Sequence, residues 1–448
     1  MARRRHHPDD RPRRHQFRRQ LRGCGLPSVS DEVVTLGCRL NLAESEAIRA
    51  MIGSGNQHTV VVNSCAVTAE AVRQSRRAVR RLRKAHPQAR LLVTGCAATI
   101  EPEAFAAMAE VDGVVANPAK LTPESWGLKL PFPREGRDLV PSRVTSAAPG
   151  IRPSPSRGSS EYSASLIHTR AFVPVQTGCD HACTFCIIPQ GRGASVSTPI
   201  AVILRAIEAH LTHGVAEVVL TGVDVTGWGT DLPGTPRLGK LVAAILTAFP
   251  ALARLRLSSL DGVEIDPLLF DLITGERRVM PHVHLSLQSG DDMVLKRMKR
   301  RHTRADAVAL AQRLHDARPD IAIGADLIAG FPTETAAMHA NNVAIVRNCG
   351  VVHGHVFPYS PRPGTPAARM PQVAPPLVRE RAAELRDAVS GERARWLASL
   401  VGIPREVLAE RDGTGHSPDF APYRMPEGTA PGRIVTLTPT RIIEGMLA

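Results

Sequence analysis

Three cysteines within eight positions, Cys179, Cys183 and Cys186 in the stretch QTGCDHACTFCIIPQGRG, are the densest concentration of reactive side chains in the chain. Thiolates spaced C-x3-C-x2-C on one tight loop can wrap a single metal centre. A structural zinc takes four ligands, so a zinc site here needs His181 or a distant cysteine as the fourth. His181 sits between two of the cysteines, where reaching the same ion strains the loop, and it reads better as a solvent-facing residue. A cubane iron–sulfur cluster takes one thiolate per iron. Three thiolates therefore leave one iron open, and an open iron can bind a substrate.

Three further cysteines, Cys38, Cys65 and Cys96, recur at intervals of about thirty residues, each in a Gly/Asn/Ser-rich turn. The turns join apolar β-type runs to amphipathic helices. The units are EVVTLGCRLN before LAESEAIRAMIG, TVVVNSCAVT before AEAVRQSRRAVRRLRKAH, and RLLVTGCAAT before EPEAFAAMAEV, with VDGVVAN closing the series. Such alternation predicts a parallel sheet with helices on both faces. The carboxyl ends of its strands share one edge, and ligands bind there at the switch in strand order. Three cysteines at three successive strand ends can thus converge. One such cysteine reads as a small buried hydrophobe, but three equivalent positions read as a site. Cys24, and Cys349 before Gly350, fit neither pattern.

The elements that must hold the first triplet begin at Phe172, where a second alternation starts. Six strand and helix pairs are too few for an eight-stranded barrel and suit an open, partial one. The fold class is α/β throughout: a parallel α/β domain over residues 31–130, a partial (β/α)6 barrel with a following helix over 166–400, and a small β module over 401–448. Residues 131–165, rich in Pro, Ser and Gly, read as a linker. Residues 1–30 read as a disordered basic arm, and the first 22 of them hold nine Arg and two Asp.

The chain of 448 residues carries a net charge of +14, half of it outside that arm. No apolar run is long enough to span a bilayer and no apolar segment follows the basic start, so a cytoplasmic protein without membrane association is expected. Eight cysteines in a reducing compartment point to ligation or catalysis rather than disulfides. Helical spacing places Arg73, Arg76, Arg77, Arg80 and Lys84 on one face. A second cluster, LKRMKRRHTR, contains Lys296 and Arg300. Basic faces of this kind neutralise phosphates and point to RNA, without saying which RNA. A zinc-dependent RNA-binding protein without catalysis is the alternative from a different class.

The spacing of Cys179, Cys183 and Cys186, with the aromatic Phe185 before the last cysteine, resembles the radical S-adenosylmethionine superfamily. The resemblance implies that the open iron is chelated by S-adenosylmethionine, which is cleaved to a 5′-deoxyadenosyl radical. By the same analogy the cofactor is held in the strand-end turns, by Phe185, Thr221, Gly222, Asp224, Ser258, Gln288 and Asp326. Adding TLGCRLNLAESE, VVVNSCAVTAEAVRQSRRAVRR, LLVTGCAAT, HLSLQSGDDMVLKRMKRRHTR and FPYSPRPGTPAARM narrows it. Together these motifs look like the methylthiotransferases, closest to the branch acting on N6-threonylcarbamoyladenosine at position 37 of transfer RNA. That resemblance implies a second [4Fe-4S] cluster at Cys38, Cys65 and Cys96, whose open iron takes an added sulfur. It also implies an anticodon stem-loop as partner, gripped by Arg73, Arg77, Arg80, Lys84, Lys296 and Arg300. An electron donor such as a flavodoxin or ferredoxin is implied as well, together with a sulfur donor that the motifs do not identify. The terminal module resembles the β-barrel that grips transfer RNA in this family (TRAM-like), with GHSPDFAPYRM its most telling stretch. Related enzymes acting on isopentenylated adenosine or on a ribosomal-protein aspartate are the rival assignments.

Overall fold

Residues 32–53, 58–127 and 169–448 are described by the structure, a computed structural model. The arm expected over 1–30 and the linker expected over 131–165 lie outside the described residues.

Strands β1 (Glu32–Thr35), β2 (Thr59–Ser64), β3 (Arg90–Gly95) and β4 (Gly113–Val114) pair in parallel in that order. Every residue of β2 is buried. Its alternate side chains serve two faces: Val61 joins Ile48 and Ile52 of α1 (Arg39–Ile52), while Val60 and Val62 join Val79 and Leu82 of α2 (Ala69–Ala85). A strand covered on both sides reads as an unbroken apolar run, which is why TVVV shows no alternation. The strands follow chain order, so the expected switch in strand order does not occur. The shared carboxyl edge alone gathers the cysteines. The third helix also differs from expectation. It starts at Cys96 as α3 (Cys96–Ile100) and breaks before Pro102, where α4 (Pro102–Ala106) begins, because a proline ring clashes with the preceding helical turn.

The second domain opens with β5 (Arg170–Pro174), the short hairpin strands β6 (Gln176–Thr177) and β7 (Val196–Ser197), α5 (Ile188–Arg192) between them, and α6 (Ile200–Leu211). Strand β8 (Glu217–Thr221), α7 (Leu238–Ala248), β9 (Arg254–Leu257), β10 (Ser259–Leu260) and α8 (Pro267–Gly275) come next. After them come β11 (His282–Gln288), α9 (Asp292–Arg297), α10 (Arg304–Ala317), β12 (Ala322–Ala329), α11 (Ala336–Asn348), β13 (Val351–Pro358) and α12 (Pro375–Leu400). Two parallel sheets, β5-β8-β9 and β10-β11-β12-β13, are linked by the run from β9 into β10, giving the expected six-position partial barrel. Val173, Leu220, Leu255, Leu285 and Ile323 turn outward into one apolar core with Ile207, Leu241 and Leu314 of the helices.

Many of the alternate, inward positions are polar: Glu217, Arg254, Arg256, His282 and His284 are all buried. Buried charge is tolerated when paired. Arg256 Nε donates to Glu217 Oε1 at 2.8 Å; burial works against the carboxylate, yet the arginine charge holds it at about 2.

The terminal module contains β14 (Arg405–Ala409), β15 (Thr414–His416), β16 (Pro422–Arg424), β17 (Ile434–Leu437), β18 (Ile442–Ile443) and β19 (Met446–Leu447) in one sheet ordered β17-β14-β15-β16-β19-β18. Its GHSPDF stretch closes the barrel floor, where the strands begin. Arg254 donates to the carbonyls of His416 (3.2 Å) and Glu406 (2.9 Å), and Arg256 to that of Pro418 (3.1 Å). The Phe420 ring lies 4.7 Å from the Arg256 guanidinium and 5.2 Å from the His282 ring. Ser417 and Asp419 are buried. The stretch most telling of the family branch is therefore committed to plugging the barrel.

Candidate active site

Cys38 follows β1 and caps α1, Cys65 follows β2, and Cys96 follows β3, all at the carboxyl edge of the first sheet. Two glycines let these turns stack closely. A Cβ on Gly37 (φ +102°) would stand 2.8 Å from Cys65 Cβ, and one on Gly95 (φ +93°) would stand 2.3 Å from the Ser64 carbonyl oxygen. Positive φ and close backbone approach both select glycine. Asn41 Nδ2 donates to the carbonyls of Leu36 (2.7 Å) and Ser64 (3.1 Å), lacing the first two turns together. Asn63 Nδ2 answers with bonds to the Asn41 carbonyl (2.9 Å) and Ser45 Oγ (3.0 Å). Cys65 and Cys96 are buried while Cys38 is exposed, so the triplet opens on the Cys38 side. Burial pushes the Cys65 thiol up to about 11, and the charges of Cys38 and Cys96 push the same way.

The barrel triplet sits on the loop after β6. Gly178 (φ +73°) cannot be replaced without collision, since a Cβ would fall 1.7 Å from the Ala194 carbonyl oxygen. Gln176 ties this loop to the next strand end: its Oε1 accepts from Val223 N (3.0 Å) and Asp224 N (2.8 Å), and its Nε2 donates to the Gly178 carbonyl (2.8 Å). Thr184 Oγ1 donates to the Arg297 carbonyl at 2.8 Å, and the Thr184 carbonyl accepts from Ala367 N at 3.0 Å. Burial raises Cys179 to about 12 and Cys186 to about 11.

His181 does not face solvent as expected. It stands 3.2 Å from Asp224 and 3.6 Å from Glu264, and its hydrogen bond to Glu264 raises its pKa. Burial opposes ionisation of Glu264, but His181 and Arg301 hold it at about 2.

The two triplets meet where α5 crosses α3. A Cβ on Gly191 would lie 3.2 Å from Cys96 Cβ, and Asn117 Nδ2 bonds the Gly191 carbonyl (2.5 Å) while lying 3.6 Å from Cys96 Sγ. Beside this contact Arg192 grips Glu44 through both nitrogens, at 2.8 and 2.9 Å, and Lys120 Nζ joins at 2.5 Å. Burial would raise the Glu44 pKa; Arg192 and Lys120 bring it below the usual carboxylate range. Bidentate arginine pairing fixes orientation as well as energy. These residues, with Asn41, Asn63 and Asn117, escaped the sequence reading. For Asn41, Glu44, Asn63 and Arg192 the signal was their place near cysteines in CRLNLAE, NSC and QGRG; Asn117 and Lys120, in VDGVVAN and the PAK after it, carried none.

Thr221, Gly222 and Asp224 lie at the end of β8, Ser258 between β9 and β10, and Gln288 at the end of β11, on the rim expected for a cofactor. Gln288 has φ +65°, a conformation non-glycine residues rarely adopt. Around the same rim Ser258 Oγ, Asp261 Oδ1, Glu264 Oε2 and Arg300 Nε are buried without a protein partner, as atoms awaiting a polar ligand would be.

Two expectations are corrected, for Asp326 and Arg300. Asp326 lies within β12 rather than in the turn after it, and accepts from His284 Nε2 and His355 Nδ1, both at 3.1 Å. Phe185, partly buried on the cluster loop, packs against Val294, Met298, Phe331 and Ala367. Arg300 is no surface phosphate ligand. It bonds Asp261 Oδ2 and the Ser286 carbonyl, each at 2.9 Å, and lies 3.7 Å from Cys183 Sγ. Arg73, Arg77, Arg80, Lys84 and Lys296 are exposed. Arg73 and Arg77 share Glu70, and Arg76, expected on the same face, turns aside to Glu101 at 2.6 Å.

Among the described residues, the sets of metal-ligating atoms lying within 4.8 Å of one another are Cys179–His181–Asp224 and His284–Asp326–His355; neither cysteine triplet closes that tightly. One zinc, with bonds of about 2.3 Å, draws its sulfurs closer, whereas a cubane spreads three thiolates over three irons. In donor chemistry, three thiols apiece, both triplets suit a cubane.

Among the described residues no helix is long and apolar enough to cross a membrane. Residues 173–341 match the radical SAM superfamily, and residues 32–116 match a family described only as uncharacterized protein family UPF0004. The chain is 41% identical over 424 residues to the threonylcarbamoyladenosine tRNA methylthiotransferase MtaB of Rickettsia prowazekii, spanning 94% of this chain and 97% of that one. The MtaB of Thermotoga maritima is 31% identical, with 84% and 86% covered. A tRNA-2-methylthio-N(6)-dimethylallyladenosine synthase of Novosphingobium aromaticivorans is 32% identical, with 85% and 86% covered. Matched along nearly the whole length of such relatives, the chain belongs to the radical S-adenosylmethionine tRNA methylthiotransferases, a family whose cofactors are S-adenosylmethionine and [4Fe-4S] clusters.

Proposed function

We propose that this chain attaches a methylthio group to carbon 2 of N6-threonylcarbamoyladenosine at position 37 of transfer RNA. The observation that carries the chemistry is the junction of Gly191 with Cys96, which sets two three-thiol sites side by side. The choice of modified base follows the relative of 41% identity. In this reading Cys179, Cys183 and Cys186 hold one cluster with S-adenosylmethionine, and Cys38, Cys65 and Cys96 hold the other. Bound there, S-adenosylmethionine would supply the methyl group and a radical for a carbon that has no acidic proton, and the first-domain cluster would carry a sulfur that a separate donor provides.

The protein's own part is positional and electrostatic. Arg300 stands against Cys183 and offsets thiolate charge, while Gln176 and Thr184 fix the loop between two strand ends. Ser258, Asp261 and Glu264 offer free polar atoms to S-adenosylmethionine. The base leaves the anticodon-loop stack to reach the site, and Arg73, Arg77, Arg80, Lys84 and Lys296 take RNA phosphates. A flavodoxin or ferredoxin in the cytoplasm supplies the electron. Nucleoside analysis of a deletion strain tests the reading: 2-methylthio-N6-threonylcarbamoyladenosine disappears, and an unchanged level refutes it. Protein purified without oxygen is brown with about eight irons, whereas the zinc alternative gives colourless protein.

A further inference from the structure

One cavity, about 890 Å3 between α11 and α12, lies outside the barrel and is lined by no cysteine. A smaller one, about 420 Å3, opens at the seam between α1, the edge strand β13 and α12, with Arg39, His284, His355, Arg386, Ser390 and Arg393 in its wall. Its charge is lopsided. Among the described residues, the barrel carboxylates nearest Arg39 are already engaged, Glu217 by Arg256 and Asp326 by His284 and His355. Arg39 makes neither hydrogen bond nor ion pair to any described residue and merely lies 5.8 Å from the Phe420 ring. Arg386 is likewise without a partner among the described residues and exposed on α12. Arg393 donates only to His353 Nδ1, at 3.0 Å. A cation bound by His284, Asp326 and His355 would face three guanidinium groups, so the cavity suits an anion.

Its location narrows the anion. Arg39, the residue after Cys38, reaches from the first domain over Phe420, so the cavity runs from the first-domain side down to the floor residues His282, His353 and Phe420, and the exposed His355 leaves its far side open. A threonylcarbamoyl arm ends in a carboxylate and a hydroxyl several bonds beyond the adenine ring; a dimethylallyl arm is wholly apolar and gains nothing from arginines. Resting on the substrate reading above, we propose that this cavity binds the carboxylate of the threonylcarbamoyl arm, and that Arg39 and Arg386 set the choice of modified adenosine.

The test is binding to holoenzyme of anticodon stem-loops that differ only at position 37: threonylcarbamoyladenosine, its methyl ester, dimethylallyladenosine, or plain adenosine. The unsubstituted protein prefers the free carboxylate over the ester by roughly ten- to a hundredfold, the usual worth of a hydrogen bond to a charged group. Arg39→Gln and Arg386→Gln each reduce that preference and together abolish it, while affinity for plain adenosine stays as it was. Iron content checks that Arg39→Gln still loads its clusters, and Arg386, on an exposed helix face, gives a variant whose folding is not at stake. A preference that survives the double substitution overturns the pocket assignment alone. Equal weakening toward all four RNAs also overturns it, assigning the arginines to backbone phosphate. An unsubstituted protein that prefers the dimethylallyl stem-loop overturns the substrate reading and this pocket with it.

Discussion

The two cysteine triplets reach the same junction by opposite routes. Cys179, Cys183 and Cys186 share one short loop, shaped by Gly178 and pinned by Gln176 and Thr184. Cys38, Cys65 and Cys96 come from three separate turns and exist as a set only while β1, β2 and β3 are in register. A local loop can lose one ligand and keep its shape. A site assembled by a sheet is as stable as the sheet.

The largest effect expected from this contrast is on chemistry. Cys183→Ala abolishes cleavage of S-adenosylmethionine and roughly halves the iron, with the first-domain cluster retained; normal cleavage by this variant would remove the radical assignment. Cys65→Ala should show the reverse, cleavage without methylthiolated product. Next is Glu44→Gln. Breaking a buried pair costs about 3–5 kcal/mol, and the loss appears in chemical denaturation as a lower midpoint, because Arg192 and Lys120 are left uncompensated. The same pair gives a pH signature. Glu44 is depressed in the folded state, so its stabilisation is complete above the ordinary glutamate value of about 4.3 and fades as pH falls below it.

Glycine substitutions sharpen the comparison further. Gly95→Ala meets the Ser64 backbone and should lose first-domain iron while the barrel keeps its own. Gly193→Ala has φ +78° and ψ −165° but nothing within 4 Å, so it costs the backbone strain of a glycine-only conformation, about 1–3 kcal/mol, without a collision, and leaves both clusters. Equal iron loss from the two variants would end the distinction between assembled and local sites. The smallest effect concerns RNA. Lys84→Gln lowers the slope of log affinity against log salt by about 0.8, whereas Arg300→Gln, buried beside Cys183, leaves that slope unchanged.

The same contrast explains what could be read in advance. The barrel loop was legible because all its ligands lie in one string. The sheet triplet was legible because its turns repeat. Arg192 and Glu44 were not, being 148 residues apart, and no local pattern announces a partner at that distance. Arg300 was misread for a related reason. In LKRMKRRHTR every basic residue looks alike, and only the fold turns one inward to Asp261 while Lys296 stays in water. Asp326 was misplaced because a turn-like GADLIAG proved to be strand almost to its end. GHSPDFAPYRM was read only as the stretch most telling of the family branch, and nothing in the sequence reveals a barrel floor that needs filling.

That floor has a consequence for how the molecule is made. Phe420 and the carbonyls that receive Arg254 and Arg256 lie later in the chain than every barrel strand. During synthesis, domains fold from the amino end as they emerge. The newborn barrel therefore spends an interval with buried arginines short of their acceptors and its base unsealed, and the terminal module acts as a late stopper.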